Sequence, residues 1–391
     1  MTDTFTKKHN GMDSIHFGAG KIGRGFIGAV LSKAGYKVCF ADVNKGLVDL
    51  INTEGHYDVH VMDETSYVET ITGVSAVDST TPECIERFVG TDLVTTAVSM
   101  KVLPLIAPTV AEGLKRRCEA GVREPLNIIC CENGIRATSQ LKVFVYEHLD
   151  DAMKAWTDEH IAFCDSGVDR IVPPISFEAP LDVAVEQFFE WNVDSTQVKG
   201  GLPPIEGLHL TDDLPAHIER KLFTVNTGHC STAFLGNLKG YTYISEALAD
   251  PEILGRVREV LAQSGAALIS KFGFDPAAHH DYTETVLRRF RNPYLKDLVS
   301  RVGHDPRRKL GPTLYFSYPI SMALSQGLPY DKITLAAGAG LNVDIEGDPQ
   351  CSEIRDLIAS EGLEGAIVSI TGQTAPEVIA AISEAYRQFK K

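Results

Sequence analysis

The chain has 391 residues, with 37 lysines and arginines against 52 aspartates and glutamates, for a formal net charge of −15. At about 150 residues per domain this suggests two or three domains, and 44% hydrophobic with 23% charged residues excludes a disordered or fibrous chain. The charge argues against nucleic acid or an acidic membrane surface as partner.

No apolar run reaches the ~20 residues that span a bilayer. The first ten residues are polar, lack the apolar core of a secretory signal and read as a disordered lead-in. A cytoplasmic enzyme is the expectation. Eight cysteines without a CxxC pair read as reduced, mostly buried thiols, and no clustered ligands suggest a metal site. The pair His279-His280 reads as a helix start rather than as metal ligands.

Ser14 to Phe17 is the first strand pattern, followed at once by Gly18-Ala19-Gly20-Lys21-Ile22-Gly23. A helix follows, with Ile22, Phe26, Ile27, Val30, Leu31 and Ala34 on one face and Gly35 at its end. Tyr36 to Ala41 is the next strand, closed by Asp42. Tyr57 to Met62 and Tyr67 to Val77 alternate with period two and predict an antiparallel insertion. Strands at Leu93 to Val98, Leu126 to Cys131, Ile161 to Cys164 and Val183 to Trp191 alternate with helices at Val102 to Arg117 and Ile135 to Leu149. After the cluster Gly200-Gly201-Leu202-Pro203-Pro204 the pattern turns helical: Ala216 to Leu235, Ile244 to Ala249, Pro251 to Lys271, Glu284 to Arg289, Leu295 to Arg301 and onward.

The Gly18-x-Gly20-x-x-Gly23 spacing is weak alone, but here a strand precedes it, an amphipathic helix follows it and an acidic residue ends the next strand. Gly18 permits the tight turn, Gly20 lets backbone approach a pyrophosphate, and Gly23 allows close helix–strand packing. The helix N-terminus offers N–H groups to the phosphates. Asp42 can bind both ribose hydroxyls and repel a 2′-phosphate, which favours NAD over NADP; Lys45 nearby weakens that preference. Arg24 reads equally as an aid to the pyrophosphate or as a solvated helix residue. The fold expected is therefore α/β: a Rossmann-like doubly wound sheet over 12–200, then a mostly α-helical substrate domain over 201–391.

In the helical half, Lys221-Leu-Phe-Thr-Val-Asn226-Thr-Gly-His229 places Lys221, His229 and Asn226 near about 0°, 80° and 140° on an α-helical wheel. One helix can thus present all three to a cleft. A lysine can act as general base on a hydroxyl, while Asn and His hold or polarise the oxygen. Without context, such residues on a helix are more often solvated or satisfied in the core. Arg307-Arg308-Lys309 is the densest basic run of this half, and it reads equally as a phosphate site or a solvated loop.

His16 to Gly28 resembles the N-terminal motif of mannitol-1-phosphate 5-dehydrogenases, within the polyol-specific long-chain dehydrogenases. The segments Cys131-Glu132-Asn133, Asp165 to Pro173, Lys221 to His229, Arg289 to Tyr294 and Arg308-Lys309-Leu310 are similar to the same family, in order. Lys21 departs from the family's usual Asn within the glycine loop. The resemblance implies a metal-independent enzyme that uses NAD to interconvert D-mannitol 1-phosphate and D-fructose 6-phosphate. It implies Lys221 as general acid/base, supported by Asn226 and His229, with Asn133 orienting the reacting oxygen. It favours Arg308 and Lys309, with Arg307, at the substrate phosphate, and Arg289 and Asn292 as further substrate contacts. A dehydrogenase of a non-phosphorylated polyol or a hexuronate, of the mannitol 2-dehydrogenase or fructuronate reductase type, is the alternative.

Overall fold

The computed structural model describes residues 12–390; the lead-in Met1–Asn10 lies outside them. Twelve strands occur among these residues: β1 Met12–Phe17, β2 Tyr36–Asp42, β3 His56–Val61, β4 Tyr67–Thr72, β5 Ser75–Asp78, β6 Leu93–Thr96, β7 Leu126–Cys130, β8 Ile161–Cys164, β9 Ser166–Asp169, β10 Val183–Val185, β11 Glu190–Asp194 and β12 Leu208–Thr211. Six form one sheet in the order β5-β2-β1-β6-β7-β8, and every pair in it is parallel. That is the doubly wound order, and it reverses direction between β1 and β6.

Every residue of β6, β7 and β8 is buried, as parallel strands covered on both faces must be. Strand alternation sends Val38, Phe40 and Ile129 into one core with Ile27 and Leu31, and Cys39, Val94 and Ile128 into the other with Leu103, Val110 and Leu141. Each such fully buried aliphatic or aromatic side chain contributes about 1.5–3 kcal/mol.

β3 and β4 form the expected antiparallel insertion, but the segment read as continuing to Val77 breaks. Its end, β5, joins the main sheet beside β2. The single strand expected at Val183 to Trp191 also divides, into β10 beside β3 and β11 beside β9 and β12. β12 lies beyond the Gly/Pro cluster and pairs in parallel with β11. The Gly200–Pro204 cluster is a loop with Gly200 and Gly201 at positive φ, and the chain then returns as β12 to the three-stranded sheet β12-β11-β9. The described residues divide into two compact units between Leu214 and Pro215.

The second unit is helical. Asp-Pro dipeptides open three of its helices: Pro251–Phe272, Pro276–Phe290 and Pro349–Thr371. In each, the preceding Asp250, Asp275 or Asp348 accepts a first-turn N–H, and Pro occupies a first-turn position whose N–H has no helical partner. Asp305-Pro306 follows another course: Asp305 sits at φ +59 and the four-residue helix Pro306–Lys309 replaces the expected turn. The helix expected over Leu295 to Arg301 is interrupted at Lys296, φ +46, between a 3-10 turn Pro293–Leu295 and the helix Val299–Gly303. All eight cysteines are unpaired, and all but Cys118 are buried. No single helix among the described residues is long and apolar enough to cross a membrane.

Candidate active site

The glycine loop follows β1 at the carboxyl end of the sheet. Gly18 is at φ +99, where its N–H donates to Ala41 O at 2.9 Å, and a Cβ there would stand 2.6 Å from Ala97 O. A Cβ on Gly23 would stand 2.0 Å from Gly18 O and 2.8 Å from His16 Nε2. Both glycines are thus demanded by the protein itself. Gly20 differs: it is exposed, and nothing lies within 4 Å of the Cβ it lacks. Open space at the middle glycine is what close approach of a pyrophosphate requires, so the loop fits a dinucleotide.

The other loop residues divide by role. Asp42 Oδ2 accepts the Ala19 N–H at 2.7 Å and Oδ1 accepts the Asn44 N–H at 2.9 Å, so the carboxylate lies against the loop. Lys21 donates to Ile175 O, and Ile22 is half exposed. Arg24 is not the solvated residue offered as one reading. It is buried, with its guanidinium on Leu181 O and Ala19 O, and burial pulls its pKa down. It braces the loop from beneath. The helix after the loop begins as a π-turn, Gly23–Gly28, in which a Cβ on Gly28 would meet the Phe40 ring at 2.5 Å.

His16 was absent from the sequence-based candidates. It is fully buried under the loop, its Nδ1 is 2.7 Å from Thr95 Oγ1, and burial lowers its pKa to about 3. Glu132, also missed, is buried and accepts Thr96 Oγ1 at 2.8 Å and the Val98 N–H at 3.0 Å. It ties the ends of β6 and β7 together, and burial pushes its pKa up. The exposed Asn133 follows it directly. The signal for Glu132 was a carboxylate directly after the apolar run Ile128 to Cys131.

In the second unit, the helix Leu214–Arg220, a π-turn Lys221–Asn226 and the helix Thr227–Lys239 run on in one rod. The Thr227 N–H reaches back five residues to Leu222 O, and Thr227 Oγ1 donates to Tyr315 O at 2.6 Å. Ser264 Oγ donates to Phe223 O at 2.6 Å, satisfying a carbonyl inside the turn. The π-register corrects the α-helical wheel. Residues five apart stack across one π-turn, so Asn226 comes onto the Lys221 side rather than far around the rod. Lys221, Asn226 and His229 are each part-buried, Asn226 and His229 between fully buried neighbours and Lys221 between the part-buried Arg220 and Leu222.

The His229 ring stacks on Phe290 at 4.4 Å and 13°. Its Nε2 lies 2.9 Å from Asp297 Oδ2, yet off the line of a straight hydrogen bond, so neither atom is fully satisfied. Burial lowers the His229 pKa against the opposing pull of Asp297. Burial acts to raise the Asp297 pKa, but His229 and Arg301 together bring it below the usual range.

The basic run does not act as one. Arg307 pairs with Glu353 at 2.7 Å, Lys309 is buried with its ammonium on Val302 O, and Arg308 is half exposed, 3.6 Å from Asp305. Arg289 is buried, while Asn292 Oδ1 accepts the Tyr294 N–H at 2.9 Å. Arg289 and Arg301 both act electrostatically on His229, and Lys309 and Arg308 on Cys230. Among the described residues, His304, Asp305 and Asp348 form one group with ligand atoms within 4.8 Å of one another. Asp348 is already engaged there, accepting the Asp305 and Gln350 N–H groups.

Two family models match the chain: the mannitol dehydrogenase Rossmann domain over residues 12–207 and the mannitol dehydrogenase C-terminal domain over 213–391. The Pseudomonas fluorescens mannitol 2-dehydrogenase, solved as a ternary complex with NAD and D-mannitol, is similar in fold. It has a TM-score of 0.73 and 19% identity, over 96% of this chain and 91% of that one. A D-sorbitol dehydrogenase in substrate-free form has a TM-score of 0.80 and 18% identity, over 97% and 93%.

Proposed function

The chain belongs to the mannitol dehydrogenase family, and from that premise we propose that it oxidises D-mannitol 1-phosphate to D-fructose 6-phosphate with NAD, and runs the reverse reduction. The observation that carries the phosphate reading is the run Arg307-Arg308-Lys309, in which the Arg308 guanidinium stays half exposed, in a chain of net charge −15. Such a concentration of cations suits an anionic substrate.

NAD, when bound, supplies the acceptor for the hydride. Gly18, Gly20 and Gly23 would hold its pyrophosphate, and Asp42 its ribose hydroxyls, where a carboxylate repels a 2′-phosphate. The Lys221 Nζ, neutral in the oxidation direction, takes the proton of the reacting hydroxyl as the C=O bond closes and the hydride leaves the same carbon. In reduction its ammonium returns that proton to the ketone oxygen. Asn226, on the same side of the π-turn, donates its side-chain N–H to that oxygen and stabilises the charge that develops on it.

A second reading has its own support. Arg307 and Lys309 are engaged with Glu353 and Val302, which leaves fewer cations for a phosphate, and the mannitol 2-dehydrogenase and sorbitol dehydrogenase likenesses suit an unphosphorylated polyol equally. A hexuronate carboxylate would also use the remaining arginines. Turnover of mannitol 1-phosphate, mannitol and a hexuronate, with NAD and NADP and with a chelator present, separates these. The phosphate ester with NAD should lead by about a hundredfold, the worth of two charged hydrogen bonds; equal turnover of free mannitol would remove the phosphate reading.

A further inference from the structure

The strongest unassigned feature is the group behind His229. Asp297 is buried, and its two oxygens have different tasks. Arg301 donates from both Nε, at 2.8 Å, and a terminal nitrogen, at 2.5 Å, to Oδ1 alone. Oδ2 has no bonded partner, and the atom nearest to serving as one is His229 Nε2 at 2.9 Å. The backbone is fixed as well. The Ile244 N–H donates to Asp297 O at 2.9 Å, the Val299 N–H to Thr242 O at 2.9 Å, and Tyr243 bridges to Leu298. This pairing is why the helix expected across Leu295 to Arg301 breaks at Lys296. Phe290 stacked on the imidazole leaves the ring to turn only within its own plane. A small turn of that kind straightens the bent contact, as such contacts commonly do once a ligand is bound.

We infer that Asp297 is the positioning residue of this site: it holds His229 as the Nε2–H tautomer, so that Nδ1 presents a lone pair to the substrate. A ring held this way cannot donate to a carbonyl or alkoxide. It recognises a substrate hydroxyl that is itself the donor, beside the reacting carbon rather than on it. This divides the labour on the rod: Lys221 and Asn226 serve the reacting oxygen, and His229 selects a neighbouring hydroxyl. The tautomer is fixed from the far side, since a carboxylate accepts and cannot donate.

The inference rests on the polyol reading of the same site, so its test needs a readout independent of turnover. The ring nitrogens of His229 in the full chain can be observed by ¹⁵N NMR at neutral pH, with the signals assigned by their loss in His229→Gln. The wild type should show Nε2 protonated and Nδ1 not. Asp297→Asn, whose amide can donate to Nε2, should invert or mix the tautomers and lower kcat/KM for the polyol roughly 10–100-fold at unchanged NAD affinity. Asp297→Glu should keep the tautomer and recover most of the activity. In a His229→Ala background, Asp297→Asn should cost less than about twofold, because a residue acting through His229 has nothing left to act on. A wild-type Nδ1–H tautomer, or an equal loss in the His229→Ala background, would overturn the inference and leave the dehydrogenase reading standing. The expected tautomer without turnover of any polyol would overturn the functional reading instead.

Discussion

Asp42 Oδ2 accepts the Ala19 backbone N–H at 2.7 Å, joining the tip of the second strand to the turn that follows the first. One carboxylate thereby shapes the glycine loop, and in the proposed mechanism it also meets the ribose of NAD. Asp42→Asn should raise the KM for NAD about 10–100-fold, since hydrogen bonds to charged groups carry about 1.5–3 kcal/mol. It should also narrow the gap in kcat/KM between NAD and NADP. Steady-state kinetics with both cofactors check this; an unchanged gap would separate Asp42 from cofactor choice.

Two glycines of the same loop should fail in opposite ways. Gly23→Ala drives a Cβ to 2.0 Å from Gly18 O, and backbone cannot easily yield. It should cost about 3 kcal/mol or more and lower the Tm by roughly 6 °C or more. Gly20→Ala meets no protein atom within 4 Å, so its Tm should stay within about 1 °C while NAD affinity falls about tenfold or more. Thermal melts and cofactor titration of both variants decide it. Equal melting losses would mean that Gly20 serves the fold and not a ligand.

This part of the molecule was legible in the sequence because glycine spacing, strand and acidic residue lie close together in the chain. The π-turn was not, because a wheel drawn at a fixed period cannot show one extra residue. Asp297 gave no local signal: it lies between Lys296 and Leu298, and its partner His229 is far away in sequence. The burial of Arg24 escaped for the same reason, since its partner Leu181 is remote.

The basic run should come apart on mutation. Arg307→Ala breaks an exposed pair worth at most about 1 kcal/mol and should change neither Tm nor kinetics appreciably. Arg308→Ala should raise the KM for the phosphorylated substrate about 10–100-fold and leave the KM for NAD unchanged. Lys309→Ala removes a buried donor and should destabilise by about 1–3 kcal/mol. Kinetics and melts on the three variants test this; a substrate effect at Arg307 alone would reassign the anion contact.

Acid stability should depend on His16. Its pKa is about 3 in the folded chain against 6.5 ordinarily, so the unfolded chain binds the extra proton between those values. Its contribution is whole above about pH 6.5 and is lost progressively as the pH falls toward 3, on the order of 4–5 kcal/mol in all. His279, held near 4 by burial and by Arg220, adds a slope of the same sign in the second unit. His16→Asn should flatten the fall of Tm between pH 6.5 and 4; an unaltered slope would place the acid sensitivity elsewhere.

The proposed chemistry turns on proton transfer at Lys221, and Lys221→Ala tests it most directly. Its turnover of mannitol 1-phosphate with NAD is measured beside a fluorescence titration of cofactor binding. A fall in kcat of about 10²–10⁴ at unchanged NAD affinity is the expected result. Wild-type turnover in that variant would contradict it.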